Sequence, residues 1–349
     1  MDRRFEFVRT EASRILLGDA IEQQLAAAVD ELRPDGIVVV HDDALVPMAQ
    51  RIAKALGARG TLSVASGGTC KRLESVGQLA TSLGRLGATR GTVLVAIGGG
   101  TILDLAGFLA SIYLRGVPLV VCPTTTLAMC DAALGGKNGV DHDGLKNRLG
   151  TIQQPALVFA DIGWLQSLSS EQFREGIVEA IKKAAVLDAS CFARLESLAP
   201  ALAVRDSRAT QEAIEMAMTM KMNVVVADER EAGLRATLNF GHTIGHAIES
   251  LANGSLRHGQ AVAMGMLAEC RAASNVAAPE ATGRIAALLR RLGIDPSVPA
   301  HLADAPALWR IAQQDKKARS GRVPMVVPTV IGTRATVELD AAGLERALA

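Results

Sequence analysis

Aromatic side chains are scarce in this chain: seven Phe, two Trp and one Tyr among 349 residues. So few rings cannot supply the stacking platforms on which nucleic-acid bases rest. No basic run exceeds two or three residues and the net charge is +1, so the clustered footprint of a nucleic-acid binder is missing as well. The five cysteines (Cys70, Cys122, Cys130, Cys191, Cys270) are odd in number, scattered and free of any CxxC pair. That excludes a disulfide framework and a zinc ribbon, and leaves reduced thiols in a cytoplasmic protein. The N-terminal MDRRFEFVRTEAS lacks the apolar stretch of a signal peptide. The most apolar window, TVLVAIGGGTILDLAGFLASIY (92–113), is interrupted by three glycines and by Asp104. It therefore reads as a buried strand, turn and helix, with no membrane span. Internal repeats, low-complexity linkers and a GxGxxG fingerprint are all wanting.

What is present is alternation. Short β-branched runs at 36–42, 91–100, 118–125 and about 156–162 are separated by helix-periodic segments. That pattern predicts a parallel sheet wound in βα units. From Ser169 the texture changes to Ala-rich helix, opened by a capping box at Ser169 or Ser170 and continuing to about Gln314. Two strands around an Ile-Gly-Thr turn follow at 322–339. The expectation is an α/β domain over 1–165 and a mainly helical domain over 166–349, sharing a deep cleft.

Three local features suggest chemistry. First, Gly98, Gly99 and Gly100 lie between a strand and a helix, where bare backbone N–H groups can approach a pyrophosphate; a tight packing turn is the bland alternative. Asp104, one turn into an apolar helix, needs a partner to offset its burial, and the hydroxyls of CPTTT close the next strand. Second, Glu179 and Lys182 share one helix face, LNFGHTIGHAIES (238–250) sets His242 and His246 one turn apart, each after a glycine, and LRHGQAVAMGM puts His258 at the entry to another helix. One Glu and two His suit Zn²⁺ with an open coordination position. Thr243 stands where an HExxH protease needs its Glu. Third, Lys137, Lys146 and Asn147 fall in a glycine-rich stretch (131–150) that reads as a loop suited to an anion, phosphate above all.

These residues resemble a known family. GGGTILDLAGFLASIYLRG, PTTTLAMCDAALGGKNG, GLKNRLG, GIVEAIK, ADEREAGLRATLNFGHTIGHAIE, RHGQAVAMGM and DKKARSGRVPMVVP are similar, in collinear order from about 90 to 330, to 3-dehydroquinate synthase and its sugar-phosphate cyclase relatives. The resemblance implies an N-terminal, Rossmann-like NAD-binding domain, a helical C-terminal domain, a divalent metal (Zn or Co) and a homodimer. Residue by residue, it implies Glu179, His242 and His258 as metal ligands and His246 as a group that assists proton movement near the substrate phosphate. Lys182, Lys221, Arg235 and Asn239 match positions that hold substrate hydroxyls and carboxylate. Lys137, Asn147 and one lysine of DKK (Lys316 or Lys317) match phosphate contacts, and Arg115 an arginine reached across the dimer interface. Lys71, Gly98, Gly99, Gly100, Asp104, Thr124, Thr125, Asp131 and Lys146 match cofactor positions. Four residues depart from the family's habit: Gly68 replaces an acidic residue at the adenosine ribose, Gln260 a Glu beside His258, and Asn138 and Asp141 the commoner Thr and Asn.

The activity implied is a phosphate-eliminating cyclisation of a seven-carbon sugar acid phosphate, with hydride leaving and returning to the same substrate. Arg235 beside Lys221 would be a costly charge cluster without an anion between them, which favours a carboxylated substrate such as 3-deoxy-arabino-heptulosonate 7-phosphate. Amino-dehydroquinate synthesis, cyclases of neutral substrates such as sedoheptulose 7-phosphate, and a metal-dependent polyol dehydrogenase of the glycerol-dehydrogenase kind remain as alternatives.

Overall fold

A computed structural model describes residues 12–65, 67–314 and 322–348. Two units emerge: one runs to Thr124 and resumes over Ala132–Asp161, and the other takes Thr125–Asp131 and everything from Ile162.

The first unit is built on eight strands and four helices: β1 (Arg14–Gly18), α1 (Leu25–Asp30), β2 (Gly36–Asp42), α2 (Val46–Ala55), β3 (Gly60–Val64), α3 (Leu73–Arg85), β4 (Thr92–Gly98), α4 (Gly100–Ile112), β5 (Leu119–Pro123), β6 (Lys137–His142), β7 (Leu145–Ile152) and β8 (Leu157–Asp161). Six strands form one parallel sheet in the order β1-β8-β5-β4-β2-β3. The inner strands β4, β5 and β8 are buried along their whole length, which is why their Val/Ile/Leu runs stand out in the sequence. The edge strands β1 (RILLG) and β3 (GTLSV) are short and only part-buried, and periodicity alone misses them. After β2 the chain pairs β3 on one side and then crosses to β4 on the other. The Gly98–Gly100 turn therefore closes β4 at the point where strand order reverses, the customary ligand position of an open α/β sheet.

The stretch expected to be a glycine-rich loop is instead an antiparallel hairpin, β6 on β7, with an irregularity between Val140 and His142. Its glycines have a backbone reason. Gly139 faces Gly150 across the pair, and a Cβ on Gly139 would stand 2.8 Å from the Leu149 carbonyl oxygen.

The second unit contains α5 (Ser170–Leu187), α6 (Ala189–Ala203), α7 (Ser207–Ala227), α8 (His242–Leu251), α9 (His258–Ala272), α10 (Pro279–Arg291), α11 (Ala305–Ala312), the antiparallel pair β9 (Val323–Pro328) and β10 (Arg334–Leu339), and α12 (Ala341–Leu348). Ser169 caps α5 through a full capping box with Gln172. The middle of α5 is buried all round, Glu179, Lys182 and Lys183 included. A helix of that kind must carry its own counter-charges. No helix among the described residues is long and apolar enough to cross a membrane, and all five cysteines are free.

Candidate active site

In the sheet unit, Asp104 does have a partner. Lys71, 8% exposed, donates from Nζ to Asp104 Oδ2 at 2.6 Å and to Asn147 Oδ1. The Lys71 carbonyl accepts from Asp141 N at 2.8 Å, and Asp141 Oδ1 accepts from Asn147 N at 2.7 Å. Lys71 thus ties the hairpin to α4 one turn in from its start, and Asn147, in the left-handed region with φ 54°, is the hairpin residue it reaches. Asn138 turns inward, donating to the carbonyls of Gly136 and Gln153 at 2.9 and 3.1 Å. Lys137 and Lys146 are exposed on the hairpin, and Thr124 N donates to Gly98 O at 3.0 Å, binding the end of β5 to the glycine turn. Arg115 is exposed behind two consecutive left-handed residues, Leu114 (φ 50°) and Arg115 itself (φ 70°).

The helical unit holds a denser group. Thr125 and Asp131 bracket a short segment of it, where Thr125 Oγ1 accepts from Ala128 N at 3.1 Å. Thr126 spends its hydroxyl on the Gln172 and Phe173 carbonyls of α5. Glu179 is 1% exposed. Its Oε2 lies 2.6 Å from Lys182 Nζ and 3.4 Å from Lys183 Nζ, while Oε1 is buried without any hydrogen-bond partner. That bare oxygen faces His242 Nε2 at 3.7 Å and His258 Nε2 at 4.0 Å. Burial alone would raise the Glu179 carboxyl, but Lys182 and Lys183 outweigh it and bring it down to about 2. Burial, reinforced by Lys182, holds His242 well below the ordinary imidazole range, so its ring is neutral. Its Nδ1 lies 3.3 Å from the Phe240 carbonyl, which can only accept, and 3.5 Å from Lys182 Nζ; donation to the nearer carbonyl would leave Nε2 as the lone-pair nitrogen.

A neutral imidazole nitrogen, a second histidine and an orphaned carboxylate oxygen are the donor set a divalent cation takes. The ring nitrogens of His242, His246 and His258 alone also gather within 4.8 Å. Glu179 and His246 are thus alternative third donors beside His242 and His258: the Glu179 oxygen is buried without a hydrogen-bond partner, whereas His246 is exposed. The rings of His242 and His246 meet edge to face, centroids 4.9 Å apart. Each histidine follows a glycine because the turn at α8 presses on α9. A Cβ on Gly245 would stand 2.9 Å from the Ala261 carbonyl oxygen, and a Cβ on Gly241 would stand 2.6 Å from Met266 Cγ.

Next to this group lies a lysine cluster. Lys221 Nζ donates to the Asp131 carbonyl at 2.7 Å and sits 3.0 Å from Asp131 Oδ1, which Lys183 Nζ approaches at 2.9 Å. Burial lowers Lys221 to about 8 against the pull of Asp131, and it lowers Lys182 against that of Glu179. Lys183 goes the other way: Asp131 and Glu179 overcome its burial and raise it. Arg235 is 2% exposed, with its guanidinium on the Glu229 carbonyl and its amide on Asp228 Oδ2 at 2.8 Å. Asn239 Nδ2 reaches Glu231 Oε1 at 3.5 Å. The cluster therefore contains its own anion, Asp131, and the premise that Lys221 and Arg235 lack one is corrected. Asp131 itself, matched by resemblance to a cofactor position, is here the counter-ion of two lysines. Lys316 and Lys317 lie outside the described residues.

Three buried or half-buried groups escaped the sequence reading. Lys183 is fully buried between Asp131 and Glu179. Glu269 is fully buried and accepts from Gly241 N at 2.7 Å and Ile244 N at 3.0 Å, capping α8, whose own N-cap is Gly241. Glu249 Oε2 stands 2.9 Å from His258 Nδ1. The only local signal was a charged residue in an apolar helix, and nothing in the spacing named its partner.

Comparison with known proteins matches residues 61–175 to the 3-dehydroquinate synthase N-terminal model and residues 176–318 to the 3-dehydroquinate synthase C-terminal model. The chain is 38% identical to 3-dehydroquinate synthase of Pyrobaculum neutrophilum over 90% of this chain and 87% of the relative. It is 34% identical to 2-epi-valiolone synthase of Actinosynnema mirum over 95% of this chain and 89% of that one. Among solved structures it superposes on ValA, a 2-epi-5-epi-valiolone synthase from Streptomyces hygroscopicus subsp. jinggangensis 5008 with NAD⁺ and Zn²⁺ bound, with TM-score 0.86 and 26% identity over 99% and 98% of the two chains.

Proposed function

This chain belongs to the 3-dehydroquinate synthase family, and from that premise we propose that it is an NAD- and metal-dependent cyclase converting 3-deoxy-arabino-heptulosonate 7-phosphate to 3-dehydroquinate and phosphate. The observation that carries the metal half is the orphaned Glu179 Oε1 facing two histidine nitrogens. Glu179, His242 and His258 would hold the cation. When bound, the cation supplies Lewis acidity toward a substrate oxygen and NAD⁺ a reversible hydride acceptor. The family relative ValA binds both kinds of group.

The rest of the reading concerns the chain's own side chains. Lys182, Lys221, Arg235 and Asn239 orient the carboxylate and hydroxyls of the substrate. Fixed cations in a buried setting are the strongest electrostatic device available to them. His246, exposed beside His242, moves a proton near the departing phosphate. Lys137, Asn147 and a lysine of the DKK segment take the phosphate, and Arg115 serves the partner protomer of a homodimer. The Gly98–Gly100 turn, Lys71, Asp104, Thr124, Thr125, Asp131 and Lys146 serve the dinucleotide, and Asp131 does so by aligning Lys221. The division into an NAD-binding part (1–165) and a metal- and substrate-binding part (166–349) belongs to the same reading, as does a cytoplasmic location.

A second reading is kept alive by the 2-epi-valiolone synthase relative at 34% identity: a cyclase of a neutral seven-carbon sugar phosphate. One experiment separates the readings. The protein is incubated with 3-deoxy-arabino-heptulosonate 7-phosphate or sedoheptulose 7-phosphate, with NAD⁺ and Zn²⁺ or Co²⁺, following phosphate, carbocycle and NADH. Phosphate release from the carboxylated substrate without net NADH is expected. Preference for sedoheptulose 7-phosphate moves the protein to the neutral cyclases, and stoichiometric NADH from a simple polyol moves it to the dehydrogenases.

A further inference from the structure

His258 opens α9, and its ring is addressed from both sides. Nε2 faces the bare Glu179 Oε1 at 4.0 Å, and Nδ1 meets Glu249 Oε2 at 2.9 Å. Glu249 belongs to α8, three residues after His246 and seven after His242, so the three share one helix face. Two other polar side chains in its neighbourhood have hydrogen-bond or ion-pair partners on Arg257. Gln260, at the position where the family prefers Glu, accepts from Arg257 N at 3.2 Å and closes the N-terminus of α9. Glu175 faces Arg257, Oε1 to Nη1 at 3.7 Å.

We infer that Glu249 is the positioning residue of His258: it accepts a hydrogen bond from Nδ1–H and so turns the ring to present Nε2, on the Glu179 Oε1 side, as the nitrogen available to a cation. The other tautomer would put a hydrogen on Nε2 and remove it from the donor set. A carboxylate on the far nitrogen of a ligating histidine fixes the ring's orientation and raises its basicity, and loss of such a partner costs about 10–100-fold in metal affinity. The juxtaposition also explains how the chain accommodates Gln260: the carboxylate that serves His258 comes from α8, so an amide in the first turn of α9 is free to cap that helix.

This inference rests on the metal reading above, and its test separates the two. Co²⁺ is titrated into wild type, Glu249→Leu and Glu249→Gln, following the visible d–d bands and the dissociation constant, with metal-free thermal melts alongside. The expected result is about a 10–100-fold weaker Co²⁺ affinity and altered band intensities for Glu249→Leu. Glu249→Gln, whose amide oxygen still accepts from Nδ1–H, should recover much of the affinity. Glu249 keeps 19% of its side chain exposed, so the metal-free melting temperature should hardly move. Wild-type affinity and bands in Glu249→Leu overturn the inference while leaving the metal site in place. A Glu249→Gln variant as weak as Glu249→Leu also overturns it, because the hydrogen-bond-accepting role would then be irrelevant. No Co²⁺ binding by wild type removes the premise itself.

Discussion

The two units carry their candidate chemistry differently. In the sheet unit the groups hang on chain ends: a glycine turn after β4, a threonine at the end of β5, a hairpin pinned by Lys71. There Lys71 pairs with Asp104 and also donates to Asn147. In the helical unit the groups are charges buried among charges, with Glu179, Asp131, Lys182, Lys183 and Lys221 sharing partners. The first arrangement presents backbone and dipoles to a ligand, which suits a dinucleotide. The second holds an oxygen without a donor and two lysines, Lys182 and Lys221, whose proton affinity burial lowers, which suits a metal and a charged substrate. A site of the first kind should tolerate substitutions in steps; a site of the second kind should fail as a unit.

The sharpest way to break that contrast is to remove a ligand. Glu179→Ala and His258→Ala should purify without tightly bound metal and lose turnover by about a thousandfold or more, several kcal/mol at ~1.36 kcal/mol per tenfold. NAD⁺ affinity, read by calorimetry, should stay near that of wild type. Full metal content by elemental analysis in either variant would reject the ligand set.

A smaller effect should follow from Arg235→Lys. Lysine keeps the charge but loses the fork that grips a carboxylate in two places. Loss of a charged hydrogen bond is worth roughly 1.5–3 kcal/mol, so kcat/KM for a carboxylated substrate should fall about ten- to a hundredfold. Since Arg235 already rests on the Glu229 carbonyl, part of the loss should appear as lowered stability in thermal melts. A kinetically silent Arg235→Lys would count against the carboxylated substrate.

In the sheet unit, Lys71→Met should weaken NAD⁺ by about tenfold, the worth of one charge-assisted hydrogen bond network. Metal content should stay unchanged. Comparable losses of both would show that the two sets of groups are not separable.

Much of the fold was legible because the inner strands and α5 announce themselves locally: GIVVVHD is β2, the 92–98 run is β4, and Ser169 with Gln172 caps α5 as the spacing implies. The edge strands β1 and β3 were not, since each is five residues long and only part-buried, too short for a period to show. The hairpin was taken for a loop because its residues are polar and its glycines serve backbone-to-backbone contact between strands. Glu179, His242 and His258 stood out by residue type. Lys183, Glu249 and Glu269 did not, because what makes them matter is a partner on another element: Asp131 for Lys183, His258 for Glu249, Gly241 for Glu269. Composition shows a buried charge only as an anomaly; its counterpart becomes visible with the fold.

The smallest effect concerns Glu269, the buried cap of α8. Burial raises its carboxyl to about 8 from the ordinary 4.5, against the pull of the Ile244 and Gly241 N–H groups. The folded state therefore keeps a proton over a range of pH in which the unfolded chain has released it. By linkage, the stability tied to that proton is fully present below about pH 4.5 and is lost as pH rises through about 8. Glu269→Gln keeps an oxygen for the N–H donors but has no proton to lose, so its stability should lack this slope. With metal removed by chelator, the wild-type melting temperature should fall relative to Glu269→Gln between pH 5 and 8.5. For a unit of this size each kcal/mol is worth about 2–4 °C. A temperature gap that stays constant across this range would mean that Glu269 is ionised throughout, held so by the helix N-terminus, and that α8 begins on a permanent charge.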